Sequence, residues 1–96
     1  MDFSTTRWLP TATPGVLQAT LHPPSGPACT ALMKLEPGTR TEPHAHPTQS
    51  EEIFVLDGCF EDDHGTYQPG DYCIRPRGTP HRAWSATGCI AIVIYR

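Results

Sequence analysis

The sequence predicts an all-β protein, a single small barrel of short antiparallel strands. Three observations carry this. No segment of the 96 residues places apolar side chains at i, i+3, i+4 and i+7 over three turns, so helix content should be low. Proline, at 11, and glycine, at 8, make up about a fifth of the chain, against the roughly 12% of an average protein. They fall between short apolar runs and not in one block, which is how many strands joined by tight turns are punctuated. The length suits one domain. A chain this short buries only about 60% of its unfolded surface, and closing a sheet on itself removes edges that would otherwise need cover.

Residues 1–14 hold Trp8, Pro10 and Pro14 without periodicity and read as an extended arm. Residues 15–96 form the barrel. Val16 to His22 alternates as a strand, Pro23-Pro24-Ser25-Gly26-Pro27 turns, and Cys29 to Leu35 is a second strand. Pro37-Gly38 turns again. Thr39 to His46 is polar yet contains no further glycine, and its polarity needs a reason. Pro47 to Ser50 is a loop, Glu51 to Leu56 a strong strand, and Asp57-Gly58 a hairpin turn. Cys59 to Glu61 returns, and Asp62 to Gly65 turns. Pro69-Gly70 precedes the strand Asp71 to Arg75, and Pro76 to Pro80 is a loop. His81 to Trp84 is a short strand, Ala86 to Gly88 a turn, and Cys89 to Tyr95 a final apolar strand.

The formal charge of -3, with no run of one sign, points to neither nucleic acid nor a membrane surface. The apolar run near Ile90 to Ile94 is far too short to cross a bilayer. Met1 to Pro10 has neither the basic nor the apolar region of a signal peptide, so a cytoplasmic location is expected. Cys29, Cys59, Cys73 and Cys89 form no C-x-x-C pair. A zinc ribbon and a disulfide framework are therefore not expected, and the four read as small apolar strand residues.

The chemistry lies in four residues. His44 and His46 are two apart, so on a strand both imidazoles project from one face and can bite one ion. Glu51 opens the next strand after four residues, and a hairpin would return its carboxylate to that face. His81 begins a later strand. Three imidazoles and a carboxylate suit one divalent ion such as iron, zinc, manganese, nickel or copper. An octahedral ion would keep about two positions open, for water or for a substrate with adjacent or 1,3-placed oxygens.

Here the residues meet a known family. Gly38-x5-His44-x-His46-x4-Glu51-x6-Gly58 resembles the first cupin motif, and Gly70-x5-Pro76-x-Gly78-x2-His81 resembles the second. The second motif usually ends in Asn four residues after the histidine, where this chain has Ser85. That departure leaves the ligands untouched and alters a neighbouring hydrogen bond or turn. Glu51-Glu52-Ile53-Phe54-Val55-Leu56-Asp57-Gly58, Asp63-His64-Gly65-Thr66-Tyr67-Gln68-Pro69-Gly70 and Gly88-Cys89 resemble the cupin-like domain of ChrR-type zinc anti-sigma factors. The resemblance implies a double-stranded β-helix, or jelly-roll, with His44, His46, Glu51 and His81 as ligands of one divalent transition metal, Fe2+ or Zn2+ first. Stand-alone relatives include enzymes similar to acetylacetone dioxygenase, which cleave diketones with iron and oxygen. Two functional readings follow from it: a metal-dependent oxygenase acting on a small carbonyl substrate, or a non-catalytic zinc sensor. A binding module with a structural metal stays open as a third. ChrR-type regulators carry a helical domain before the cupin, and the expectation that 96 residues leave no room for one favours the enzyme.

Glu52 must face away from Glu51 and reads as a solvated or ion-paired carboxylate. His22 and His64 read as surface residues. Arg75 and Arg77, near His81, read as surface residues or as a clamp for an anionic substrate. Phe54, Phe60, Tyr72 and Trp84 read as core, dimer contact or pocket lining, and Tyr67 and Tyr72 as possible hydroxyls near the ion. Cys89 reads as a buried, unreactive thiol. A small barrel exposing a sheet edge and the apolar strand Cys89 to Tyr95 is expected to form a homodimer, with the Trp8 arm across or beside the partner sheet.

Overall fold

The computed structural model describes residues 2–26 and 28–96, and among them no helix occurs. Met1 of the arm and Pro27 of the first expected turn lie outside the described residues. The strands are β1 (Leu9–Pro10), β2 (Val16–Ser25), β3 (Ala28–Leu35), β4 (Thr39–Arg40), β5 (Glu51–Gly58), β6 (Phe60–Asp62), β7 (Gly65–Tyr67), β8 (Tyr72–Arg75), β9 (Ala83–Ser85) and β10 (Cys89–Tyr95). Six form an antiparallel sheet in the order β1-β2-β3-β10-β5-β8, and four form a second in the order β4-β9-β6-β7. Among the described residues the two sheets do not join into one closed hydrogen-bonded ring.

Alternation decides what each strand buries. Along β5, Glu51, Ile53 and Val55 are buried while Phe54 and Asp57 are exposed. Along β10, Cys89, Ala91 and Val93 are buried and meet Val16 and Leu35 from β2 and β3. Phe60 of β6 and Ala83 of β9 close the cluster from the second sheet, so the core lies between the sheets. Burial pushes the Cys89 thiol up to about 11, so it stays protonated and inert at neutral pH. β10 is an interior strand, paired on both sides with β3 and β5, so its backbone offers no free edge.

Three sequence expectations are corrected here. Asp57-Gly58 does not close a hairpin. Gly58 pairs with Cys89, and the chain then crosses to the second sheet, where β6 begins. Gly58 turns the chain at φ 75°, in space too tight for a side chain. Ser85, at the position where the motif usually has Asn, is fully buried and donates to the Cys59 carbonyl at this crossing. Second, Gly65, expected to end a turn, opens the strand Gly65–Tyr67, whose three residues are too few to show a period. Third, His44 and His46 do not form a hairpin with Glu51. Pro43 and Pro47 lack the N–H that a continuous ladder needs. The segment makes one isolated bridge, His44 with His81, through two 2.8 Å backbone hydrogen bonds.

The arm folds onto its own chain. Leu9 pairs with Gln18 and Pro10 with Leu17, and Lys34 Nζ lies 5.7 Å from the Trp8 ring centroid.

The crossing at Gly58 yields a stability test. A Cβ there would collide with the Gly88 carbonyl, whereas one at Gly70, also left-handed at φ 93°, meets nothing. Gly70→Ala is expected to cost about 1 kcal/mol and Gly58→Ala about 3 kcal/mol or more, read from urea midpoints. Equal shifts would show that the crossing relaxes freely.

Candidate metal centre

The inward-facing polar residues gather at one end of the molecule because of strand register. Glu51 opens β5, Arg75 ends β8 and Tyr95 ends β10; Glu51 stands opposite both Arg75 and Tyr95. The bridge to His44 brings His81 to the same end from the second sheet.

His44, His46 and His81 offer ring nitrogens that all lie within 4.8 Å of one another. Two of the rings are oriented by backbone. His44 Nδ1 is 2.9 Å from the Glu42 carbonyl, and His81 Nδ1 is 3.2 Å from the Thr79 carbonyl. A carbonyl only accepts, so Nδ1 carries the hydrogen and Nε2 keeps a free lone pair. Metal-binding imidazoles are commonly held in this way. Burial, reinforced by the Arg75 charge, holds His81 below the usual histidine range, so it is neutral at pH 7. His46 Nε2 is buried and has no hydrogen-bond partner. Three convergent imidazoles with an orphaned, buried nitrogen among them fit a divalent ion, and the cluster could hold one.

Glu51 lies beside this cluster. Its two oxygens are each 3.6 Å from a histidine Nε2, Oε2 from His46 and Oε1 from His81. Oε1 also accepts a 2.8 Å bond from Arg75 Nη1, and the Tyr95 hydroxyl hydrogen-bonds to the same carboxylate. Burial and the Glu51 charge push the Tyr95 hydroxyl far above its usual range, so it remains protonated and acts as a donor. Its ring lies 5.3 Å from that of His46.

Arg75 is not at the surface. It is buried, and Nη2 donates to Asp62 Oδ2 at 2.7 Å, so both ends of the guanidinium fork are taken within the protein. Arg77 is exposed. Glu52 faces outward, accepting from Tyr72 at 2.6 Å and from Arg96 at 2.7 Å. Tyr72 is therefore away from the cluster, and Tyr67 lies 3.4 Å from Asp62. His22 and His64 are exposed. Sequence reasoning missed Tyr95 and Asp62. The alternation Ala91, Val93, Tyr95 on β10 was a usable signal for the first. Asp62 looked like one of several turn carboxylates.

The cluster opens into a cavity of about 240 Å³. His44, His81, Glu51, Arg75 and Tyr95 line its polar part, and Met33, Leu35 and Phe60 its apolar part. Of the four aromatics singled out in the sequence, Phe60 alone lines this cavity. Phe54 and Tyr72 are exposed on the outer face, and Trp84 lies 5.4 Å from the Arg40 guanidinium.

The solved structure of Rhodobacter sphaeroides SigE in complex with the anti-sigma ChrR matches with a TM-score of 0.84 and 28% identity, over 99% of this chain and 52% of that one. The chain thus spans about half the length of that relative. The polyketide cyclase RemF from Streptomyces resistomycificus matches at 0.82 and 21% identity, over 99% of this chain and 76% of its own. KdgF from Halomonas sp. matches at 0.77 and 23% identity, over 93% and 85% respectively. These last two share the fold. No curated protein matches the chain. A family model of the ChrR cupin-like domain matches residues 1–96, and on that match the chain belongs to the ChrR cupin-like family.

Proposed function

We propose that this cupin holds one divalent metal ion through His44, His46, His81 and Glu51 and acts on a small carbonyl compound bound in the adjoining cavity. The observation that carries this reading is the convergence of three imidazoles, two of which, His44 and His81, line that cavity. At about 240 Å³ the cavity is smaller than a drug-sized site, which suits a compound of few carbons, a 1,3-diketone or a 2-hydroxyketone. A bound ion supplies Lewis acidity to a chelating oxygen pair and, if ferrous, a route to oxygen. The chain's own residues do the rest. Met33, Leu35 and Phe60 exclude water, Tyr95 offers a donor beside the cluster, and Glu51 provides the compensating charge. The proposed reaction is oxidative cleavage of a carbon–carbon bond, with both atoms of dioxygen ending in the two carbonyl products.

A second reading is favoured by the likeness to the SigE–ChrR structure. In it the ion is structural or sensory, and the chain binds a separate protein without turnover.

Metal analysis tests the site first. His46→Ala or His81→Ala should lower metal content to a small fraction of wild type. Glu52→Ala should leave it nearly unchanged, because that carboxylate faces outward to Tyr72 and Arg96. Emptying by Glu52→Ala and not by Glu51→Ala would overturn the ligand set.

Anaerobic addition of a 1,3-diketone or 2-hydroxyketone to ferrous protein should change its visible spectrum. Admission of oxygen should then bleach the band and consume oxygen with turnover. Zinc-loaded protein should bind without oxygen uptake, since zinc has no accessible redox change. If a broad panel of such compounds neither perturbs the spectrum nor speeds oxygen uptake, the oxygenase reading falls and the sensor reading stands.

The outer face of the larger sheet exposes Leu21, Phe54, Tyr72 and Ile74. We expect it to be covered in a homodimer. Light scattering at tens of micromolar, a concentration chosen so that a weak dimer is populated, should give twice the chain mass; a monomer there would refute it.

A further inference from the structure

His46 Nε2 is buried without a partner, yet a carboxylate oxygen stands only 3.6 Å away. Something keeps Glu51 from closing on the cluster, and the geometry points to Arg75: we propose that Arg75 is a positioning residue that holds Glu51 at the edge of the three-histidine cluster, and that Asp62 sets how firmly it holds. The proposal rests on the metal reading given above and adds a control on it.

The clamp is built from both sheets. Arg75 and Glu51 are register partners on β8 and β5, so their approach is fixed by backbone. The 2.8 Å bond to Glu51 and the 2.7 Å bond to Asp62 come from separate arms of the guanidinium. All three side chains are at most 7% exposed. Asp62 is itself oriented. Its Oδ1 accepts from the backbone N–H groups of His64 at 2.8 Å and Gly65 at 3.1 Å, with the Tyr67 hydroxyl at 3.4 Å, so Oδ2 is left to Arg75. The guanidinium carbon lies 5.3 Å from the Phe60 ring centroid. Arg75 therefore cannot swing into the cavity to take an anionic substrate without breaking two buried ion pairs. Its charge is spent on two carboxylates, one of which faces the histidines.

A metal ion and Arg75 thus compete for Glu51. Asp62 draws the guanidinium toward the second sheet and shares its charge. Neutralising Asp62 leaves that charge wholly on Glu51 and makes the surroundings of the ion more positive. Removing Arg75 as well frees the carboxylate to approach the histidines.

The test titrates Co2+ into three proteins: wild type, Asp62→Asn, and the double variant Arg75→Met/Asp62→Asn. The Asn keeps the turn's acceptor oxygen, and the double variant leaves no unpaired buried cation. Asp62→Asn should bind Co2+ about tenfold more weakly than wild type, and the double variant about tenfold more tightly, the size of effect that outer residues have on metal sites. The visible band of the cobalt protein should change in the double variant as Glu51 bonds the ion without competition from Arg75. A purely structural role would lower the melting temperature of both apo variants without moving affinity in opposite directions. If wild type binds Co2+ and the variants match it in affinity and spectrum, or move together, the clamp is refuted while the metal site stands. If wild type binds no Co2+, both fall. Asp62→Asn is nearly isosteric, so its weakening alone decides the matter should the double variant not fold.

Discussion

The buried ion triad Glu51–Arg75–Asp62 is the constraint around which this small domain is arranged. An uncompensated charge in a protein interior costs several kcal/mol. Arg75 is tolerated because each arm of its fork meets a carboxylate. Those carboxylates come from different sheets, Glu51 from β5 and Asp62 from β6. The sheets share no closed ladder, so side chains must hold them together. An apolar core does this at one end, through Leu35, Val55, Phe60 and Ala91. At the other end the triad does it with polar groups.

This division separates stability from function along the same strands. In β5 the inward positions run Glu51, Ile53, Val55, and in β10 they run Tyr95, Val93, Ala91. Each strand begins or ends polar at the cavity and becomes apolar one step deeper. Register does the remaining work, because pairing Glu51 with both Arg75 and Tyr95 fixes three polar groups without any loop. The histidines arrive differently. Pro43 and Pro47 prevent regular pairing, so His44 and His46 lie in a segment tied down by the bridge to His81 and by the Gly78 N–H bond to the His46 carbonyl. Rigid strands thus set the carboxylate and its partners, and a looser segment brings two of the three imidazoles.

Much of this was legible in the sequence. The β9–β10 turn and the whole of β10 read directly, because Cys89 to Tyr95 is apolar and bounded by Gly88. The spacing of His44, His46 and His81 in the motif singled out three side chains that the fold brings together. What the sequence hid was partnership across sheets. Asp57-Gly58 has hairpin chemistry, but whether the next strand pairs with β5 or crosses to the other sheet depends on Gly88 and Ser85, far along the chain. Arg75 looked like a surface residue because no local pattern shows that its two neighbours are Glu51 and Asp62. Tyr95 was overlooked because it is the last residue of an apolar strand, and only its pairing with Glu51 gives its hydroxyl a role.

The cluster's own energetics explain why a cation suits it. A buried nitrogen without a hydrogen-bond partner costs about 1–3 kcal/mol, and His46 Nε2 is such a nitrogen. The Nδ1 contacts of His44 and His81 leave two further lone pairs at Nε2. Arg75 lies beside Glu51, but its Nη1 and Nη2 are taken by carboxylates. Protonating the rings instead is opposed at His81 by burial and by the same guanidinium. A divalent ion relieves the convergence by accepting the lone pairs together. Asp62 has already balanced Arg75, so the negative charge left facing that ion is the single charge of Glu51. An ion of charge two would retain one unit of positive charge beside the cavity, and a site of that charge favours anions over neutral molecules.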